Sequence, residues 1–116
     1  MVVDLTPPLR EDDLFHALAD ATRRDILTVV LRREHSVSAL ARRYPMSVAA
    51  VQKHVAVLER AGMVSKTRRG REQLVRGNVE TVRAAHRVLD QLEAVWRSRL
   101  EQMGEILAEP TEGAPS

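Results

Sequence analysis

The sequence predicts a mainly α-helical fold with one small β-hairpin. Three observations carry that reading. Apolar residues recur at helical spacing through most of the chain. Between residues 63 and 76 the period shortens to that of strands, around a glycine turn. After that, a single apolar stripe runs for nearly thirty residues. About five helices and a two-stranded hairpin account for the pattern.

The 116 residues suit one domain. At 44% hydrophobic, the chain has enough apolar side chains for a small core. There is no cysteine, so disulfides and thiolate metal sites are excluded. The opening MVVDLTPPLREDD is too polar for a signal peptide or a membrane span. A soluble, cytoplasmic protein is expected.

Residues 1–10 read as a flexible lead, because Pro7 and Pro8 oppose an early helix. The first helix follows from Glu11 to Asp20, with Leu14, Phe15 and Leu18 inward. Its Asp12 and Asp13 suit the positive helix N-terminus. Thr22 then begins TRRD, a pattern close to a capping box, and opens the second helix. Ile26, Leu27, Val30 and Leu31 give that helix its inward face.

Ser36 is placed to cap a short third helix with Val37, Leu40, Ala41 and Tyr44 inward. Pro45 is expected to end it. Ser47 caps the fourth, SVAAVQKHVAVLERAG, whose Val51, Val55 and Leu58 form one buried stripe. Gly62 ends that helix through the left-handed conformation. Two short helices so tightly joined form a helix-turn-helix. The outward face of the second carries Ala49, Gln52, Lys53, Ala56 and Arg60. Small residues allow close approach to a groove, and Gln and Lys can bond base edges or phosphates.

Residues 63–68 read as a strand, 73–76 as its partner, and 69–72 as the turn, with Gly70 supplying positive φ. The tip carries Arg68, Arg69 and Arg71, within reach of phosphates or a minor groove. A hairpin beside a helix-turn-helix is a wing. Asn78 caps the last helix, from Val79 to Leu107, about 40 Å long at 1.5 Å per residue. Val82, Leu89, Trp96 and Met103 lie seven apart, a nearly heptad stripe. So small a core cannot cover it, so the excess must meet a second chain. Leu89, Leu92, Trp96 and Met103 are the expected dimer contacts, with Trp96 an interface anchor rather than a pocket lining. Residues 11–108 thus read as one DNA-binding and dimerisation domain, and 109–116 as a disordered tail.

Charge agrees with a nucleic-acid partner. Residues 42–76 hold nine Lys or Arg against Glu59 and Glu72, a net +7. The chain as a whole is +2, which leaves −5 elsewhere. A basic block on a near-neutral protein is the footprint expected of phosphate binding. No nucleophile elbow, phosphate loop or paired-acid motif points to an enzyme. The competing readings are a winged helix used for protein contact without a DNA target, and an activator of the same fold.

Three stretches resemble the ArsR-type winged helix-turn-helix regulators. They are FHALADATRRDIL, SALARRYPMSVAAVQKHVAVLERAGMVS and KTRRGREQLVRGN. The ending LDQLEAVWRSRLEQMGEIL resembles a metal-independent branch of that family. The likeness spans about residues 10 to 107. It implies a homodimer formed by the first and last helices, bound to a roughly palindromic operator. It also implies repression, often of the regulator's own gene. The family's recognition-helix positions fall on Ser47, Val48, Ala49, Gln52, Lys53 and His54, and its wing positions on Arg68, Arg69 and Arg71. His54 either contacts DNA or packs beside the turn.

The chain departs from the family's metal sensors. Ser36 and Ser38 stand where a sensor has its cysteine pair. His86, Asp90 and Glu93 share a face of the last helix but do not match the sensor spacing. His16 and Asp20 read as surface residues. No metal or cofactor is expected. Val48 stands where many relatives carry a polar residue; a valine can touch a thymine methyl.

Overall fold

The computed structural model describes residues 11–108. The expected flexible lead, 1–10, and tail, 109–116, lie outside the described residues. In chain order the elements are α1 (Glu11–Leu18), α2 (Ala21–Arg32), β1 (His35–Ser36), α3 (Val37–Ala41), α4 (Val48–Arg60), β2 (Val64–Arg69), β3 (Glu72–Gly77) and α5 (Val79–Ala108). The chain divides into two units after Ala85.

In the first unit, α1 starts on Glu11, Asp12 and Asp13, as the helix dipole favours, and buries Leu14 and Ala17. It stops at Leu18, two residues before the expected end. The α2 cap is Asp20, not Thr22: the Asp20 carboxylate accepts the Arg23 backbone N–H at 3.0 Å. A carboxylate is the stronger acceptor, and its charge faces the positive helix end. The inward face of α2 is Ile26, Leu27, Val29 and Val30. Leu31, expected inside, is partly exposed and packs against the end of the sheet beside Gly77.

Ser36 caps α3 as expected, accepting from the Ala39 N–H at 3.0 Å. The helix ends at Ala41, a full turn before Pro45. Proline has no N–H to give the Ala41 carbonyl, so the i→i−4 ladder stops there. The turn closes instead through Arg43 N–H to the Leu40 carbonyl, 3.0 Å, and Met46 N–H to the Tyr44 carbonyl, 2.9 Å. The Tyr44 hydroxyl donates to Asp25 on α2 at 2.6 Å and fixes this turn against the helix.

The Ser47 hydroxyl accepts the Ala50 N–H at 3.1 Å and starts α4. Val51, Val55 and Leu58 are fully buried, so the predicted stripe is the core face. At the far end Gly62 has φ +75°. Its N–H reaches the Glu59 carbonyl and that of Met63 reaches the Leu58 carbonyl, both at 2.9 Å. This is a Schellman ending, which satisfies two carbonyls that the helix leaves open.

The hairpin is longer than its sequence pattern indicates. Arg69 pairs with Glu72, so the turn is only Gly70–Arg71, with Gly70 at φ +63°. The sheet has three strands rather than two, in the order β1-β3-β2. The additional strand β1 pairs His35 with Val75 and Ser36 with Leu74. Asn78 caps α5 by accepting the Glu80 N–H at 3.1 Å. The Asn78 amide and the Thr81 hydroxyl both donate to the Gly62 carbonyl, at 3.1 and 2.7 Å. The end of α4 and the start of α5 are thereby tied together. Around Leu14, Ile26, Leu40, Leu58, Met63 and Val75 the core of this unit closes completely.

The second unit, from His86, is the remainder of α5 among the described residues. It leaves Leu89, Leu92, Val95, Trp96, Leu100, Met103 and Ile106 exposed. Among the described residues no helix is long and apolar enough to cross a membrane.

Candidate nucleic-acid interface

The core stripe of α4 sets what its other side presents. With Val51, Val55 and Leu58 inward, helical geometry turns Val48, Ala49, Gln52, Lys53 and Ala56 to solvent, and all five are exposed. Ser47 is exposed too, though its hydroxyl oxygen already serves as the cap. Among the described residues, Gln52 and Lys53 make no side-chain hydrogen bond or ion pair. Their donors are available to an incoming ligand.

His54 is placed differently from these neighbours. It is half-buried, with Nδ1 3.4 Å from Arg23 Nη1 and 4.0 Å from Asp20 Oδ1. Arg23 itself is fully engaged. Its Nε donates to the Ala17 carbonyl at 2.8 Å and its Nη2 to the His16 carbonyl at 2.7 Å, satisfying the open end of α1. Asp20 is held below the usual carboxylate range, chiefly by the Arg23 backbone N–H, with the His54 and Arg23 charges adding. One cluster therefore joins the α1 end, the α2 start and the middle of α4. His16 enters it through its backbone carbonyl, and Asp20 as a helix cap.

On the hairpin, Arg68, Arg69 and Arg71 are exposed at the tip. Among the described residues none of the three has an ion-pair partner. Lys66, lower on β2, instead pairs with Glu59 of α4 at 3.2 Å. That pair fixes one strand of the hairpin to the helix while the tip stays uncompensated. Arg42 and Arg43, part of the basic block but without a signal of their own in the sequence, are exposed, and the early end of α3 puts them on the connection into α4.

In the second unit, Leu89, Leu92, Trp96 and Met103 are each about half exposed or more. His86, Asp90 and Glu93 do not gather into a site: among the described residues no group of three or more His, Asp or Glu side chains is placed to hold a metal ion. Glu93 pairs with Arg97 at 2.6 Å.

A family model described as a helix-turn-helix domain matches residues 18–67, from the end of α1 into β2. An ArsR-like transcriptional regulator from Rhodococcus sp. RHA1 is 35% identical, with a TM-score of 0.76 over 83% of this chain and 88% of that one. The chain belongs to the ArsR family of transcriptional regulators. It is accordingly a DNA-binding regulator of transcription with a winged helix-turn-helix, and not an enzyme. Other solved structures share the fold at lower identity. HlyU from Vibrio cholerae N16961 is 28% identical, with a TM-score of 0.57 over 70% of this chain and 88% of that one. A fragment of a possible ArsR-family regulator from Mycobacterium bovis is a homodimeric winged helix-turn-helix DNA-binding domain. It is 26% identical, with a TM-score of 0.59 over 72% of this chain and 76% of that one. No protein of curated function matches the chain.

Proposed function

We propose that this ArsR-family regulator binds a roughly palindromic operator as a homodimer and represses transcription there, including that of its own gene. In this reading residues 11–108 act as one DNA-binding and dimerisation domain. The helix α4 enters the major groove with Ser47, Val48, Ala49, Gln52 and Lys53 toward the bases and adjoining phosphates. Arg68, Arg69 and Arg71 on the wing take the flanking backbone. His54, with Nδ1 already beside Arg23, serves by seating α4 on α2. Leu89, Leu92, Trp96 and Met103 meet a second copy. No metal takes part.

The observation that carries the proposal is the unpartnered outer face of α4 beside an uncompensated arginine tip. Unpaired donors next to a concentration of positive charge suit a ligand that offers base edges and phosphates together. The homodimeric state of the Mycobacterium bovis relative and the exposed apolar face of α5 support the dimer. Repression follows from occupancy, since a dimer on two half-sites denies that DNA to other proteins. Selection of bound duplexes from a random pool tests the reading. The expected product is a motif of two inverted half-sites about 10 base pairs apart, or a multiple of that. A reporter carrying that motif in its promoter then separates repression from activation. A pool that enriches no sequence favours a protein-contact role instead.

A further inference from the structure

The leading end of α4 has an unusual chemistry for a helix that reads DNA. Val48 is its first residue and is 50% exposed, and Ala49 beside it is exposed as well. The Ser47 oxygen is taken up by the Ala50 N–H. The first unengaged side-chain amide is that of Gln52, one turn on. What this end offers a ligand is therefore methyl groups. Val48 contributes nothing to the core, which begins at Val51. Lys53 follows on the same helix, and Arg42 and Arg43 precede it in the chain, all three exposed.

We infer that Val48 reads the 5-methyl group of a thymine in each half-site. This rests on the operator reading above. Among the four bases only thymine presents a methyl in the major groove, while guanine offers acceptors, cytosine a donor and adenine one of each. A valine pressed on guanine, cytosine or adenine would bury polar atoms without partners, which is costly. A thymine methyl gains contact instead. So one side chain both attracts thymine and rejects its competitors. Valine also suits the task because its χ1 in a helix is almost fixed, so little freedom is lost on contact. Gln52 lies four residues on, about 6 Å along the helix. That is about two base-pair steps at 3.4 Å each. Glutamine pairs best with adenine. The half-site thus holds a methyl-read thymine within about two base pairs of an adenine read by Gln52.

The test uses the full chain and the duplex enriched from the random pool. Each thymine is replaced in turn by uracil, which removes only the methyl. In each half-site one replacement should weaken the native protein about fourfold, the value of one buried methyl, and both together about sixteenfold. Val48→Ala should bind the thymine and uracil duplexes within about twofold of each other. Val48 is outside the core, so circular dichroism of this variant should match the native chain. A motif whose thymines all tolerate uracil overturns the inference and leaves the operator reading standing. A uracil effect that persists undiminished in Val48→Ala overturns it too. A pool that enriches no motif overturns the operator reading, and this inference with it.

Discussion

The Nδ1 atom of His54, in the middle of α4, lies 3.4 Å from Nη1 of Arg23, near the start of α2. Through this pair α4 is linked to the end of α1, because the other two Arg23 nitrogens hold the Ala17 and His16 carbonyls. The position of α4 therefore depends on groups away from its exposed face. Arg23→Ala would leave two carbonyls of α1 without their guanidinium partner. Titrated against the selected duplex, this variant should bind more weakly than the native chain, and unchanged affinity would mean that the Arg23 cluster does not set the position of α4.

Asp20, at the rim of the same cluster, sets a pH dependence. Its carboxyl is held below the ordinary value, first by the Arg23 backbone N–H. A lowered carboxyl pKa in the folded state stabilises the fold above the unfolded value, about 3.9. That contribution is lost as the pH falls through the lower, folded value. Asp20→Asn keeps an acceptor oxygen but removes the charge. Melting temperatures recorded from pH 7 down to pH 2.5 should fall less steeply for Asp20→Asn than for the native chain below about pH 4. Equal slopes would mean that the charge of Asp20 adds nothing.

Gly77, at the end of β3, sits where the strand passes closest to α2. A Cβ there would lie 2.7 Å from Leu31 Cδ2 and 2.9 Å from Leu31 Cα. The Cδ2 atom can swing away, but the Cα belongs to the helix backbone. Gly77→Ala should therefore destabilise the fold by about 1–3 kcal/mol, as overpacking does. Urea denaturation measures it, and an unchanged midpoint would show that the strand end yields freely.

The face of α5 beyond His86 yields a prediction about assembly. Leu92 is 62% exposed, between Leu89 and Trp96 on the same apolar run. If that face meets a second copy, Leu92→Glu would bury a charge without a partner. Light scattering at micromolar concentration should find the native chain dimeric and the variant largely monomeric. A native monomer would remove the dimer from the account, and an equally dimeric variant would place the interface elsewhere.

Much of this was legible in the sequence because it is written in short-range pattern. Val51, Val55 and Leu58 announce a buried helical face by their spacing, and all three are fully buried. Ser36 and Ser47 are recognisable caps because a cap acts within three residues. The sequence does not settle the α2 cap, because Thr22 and Asp20 both suit the role and only the fold shows which oxygen meets an N–H. The strand β1 was not legible at all: two residues have no period, and their partners lie about forty positions away on β3. A separation of 31 positions likewise hid the pairing of Arg23 with His54. Which exposed side chains read bases is equally a matter of geometry with a partner, beyond what spacing records.

In the proposed complex α4 reads sequence while the wing supplies charge. Gln52→Ala and Arg69→Ala, titrated against operator and scrambled duplex at several salt concentrations, separate the two roles. Gln52→Ala should cost about 1–3 kcal/mol on the operator and little on scrambled DNA. Arg69→Ala should weaken both duplexes alike and lower the salt slope by about one per half-site. Loss of affinity by Gln52→Ala to the same extent on both duplexes would contradict the account.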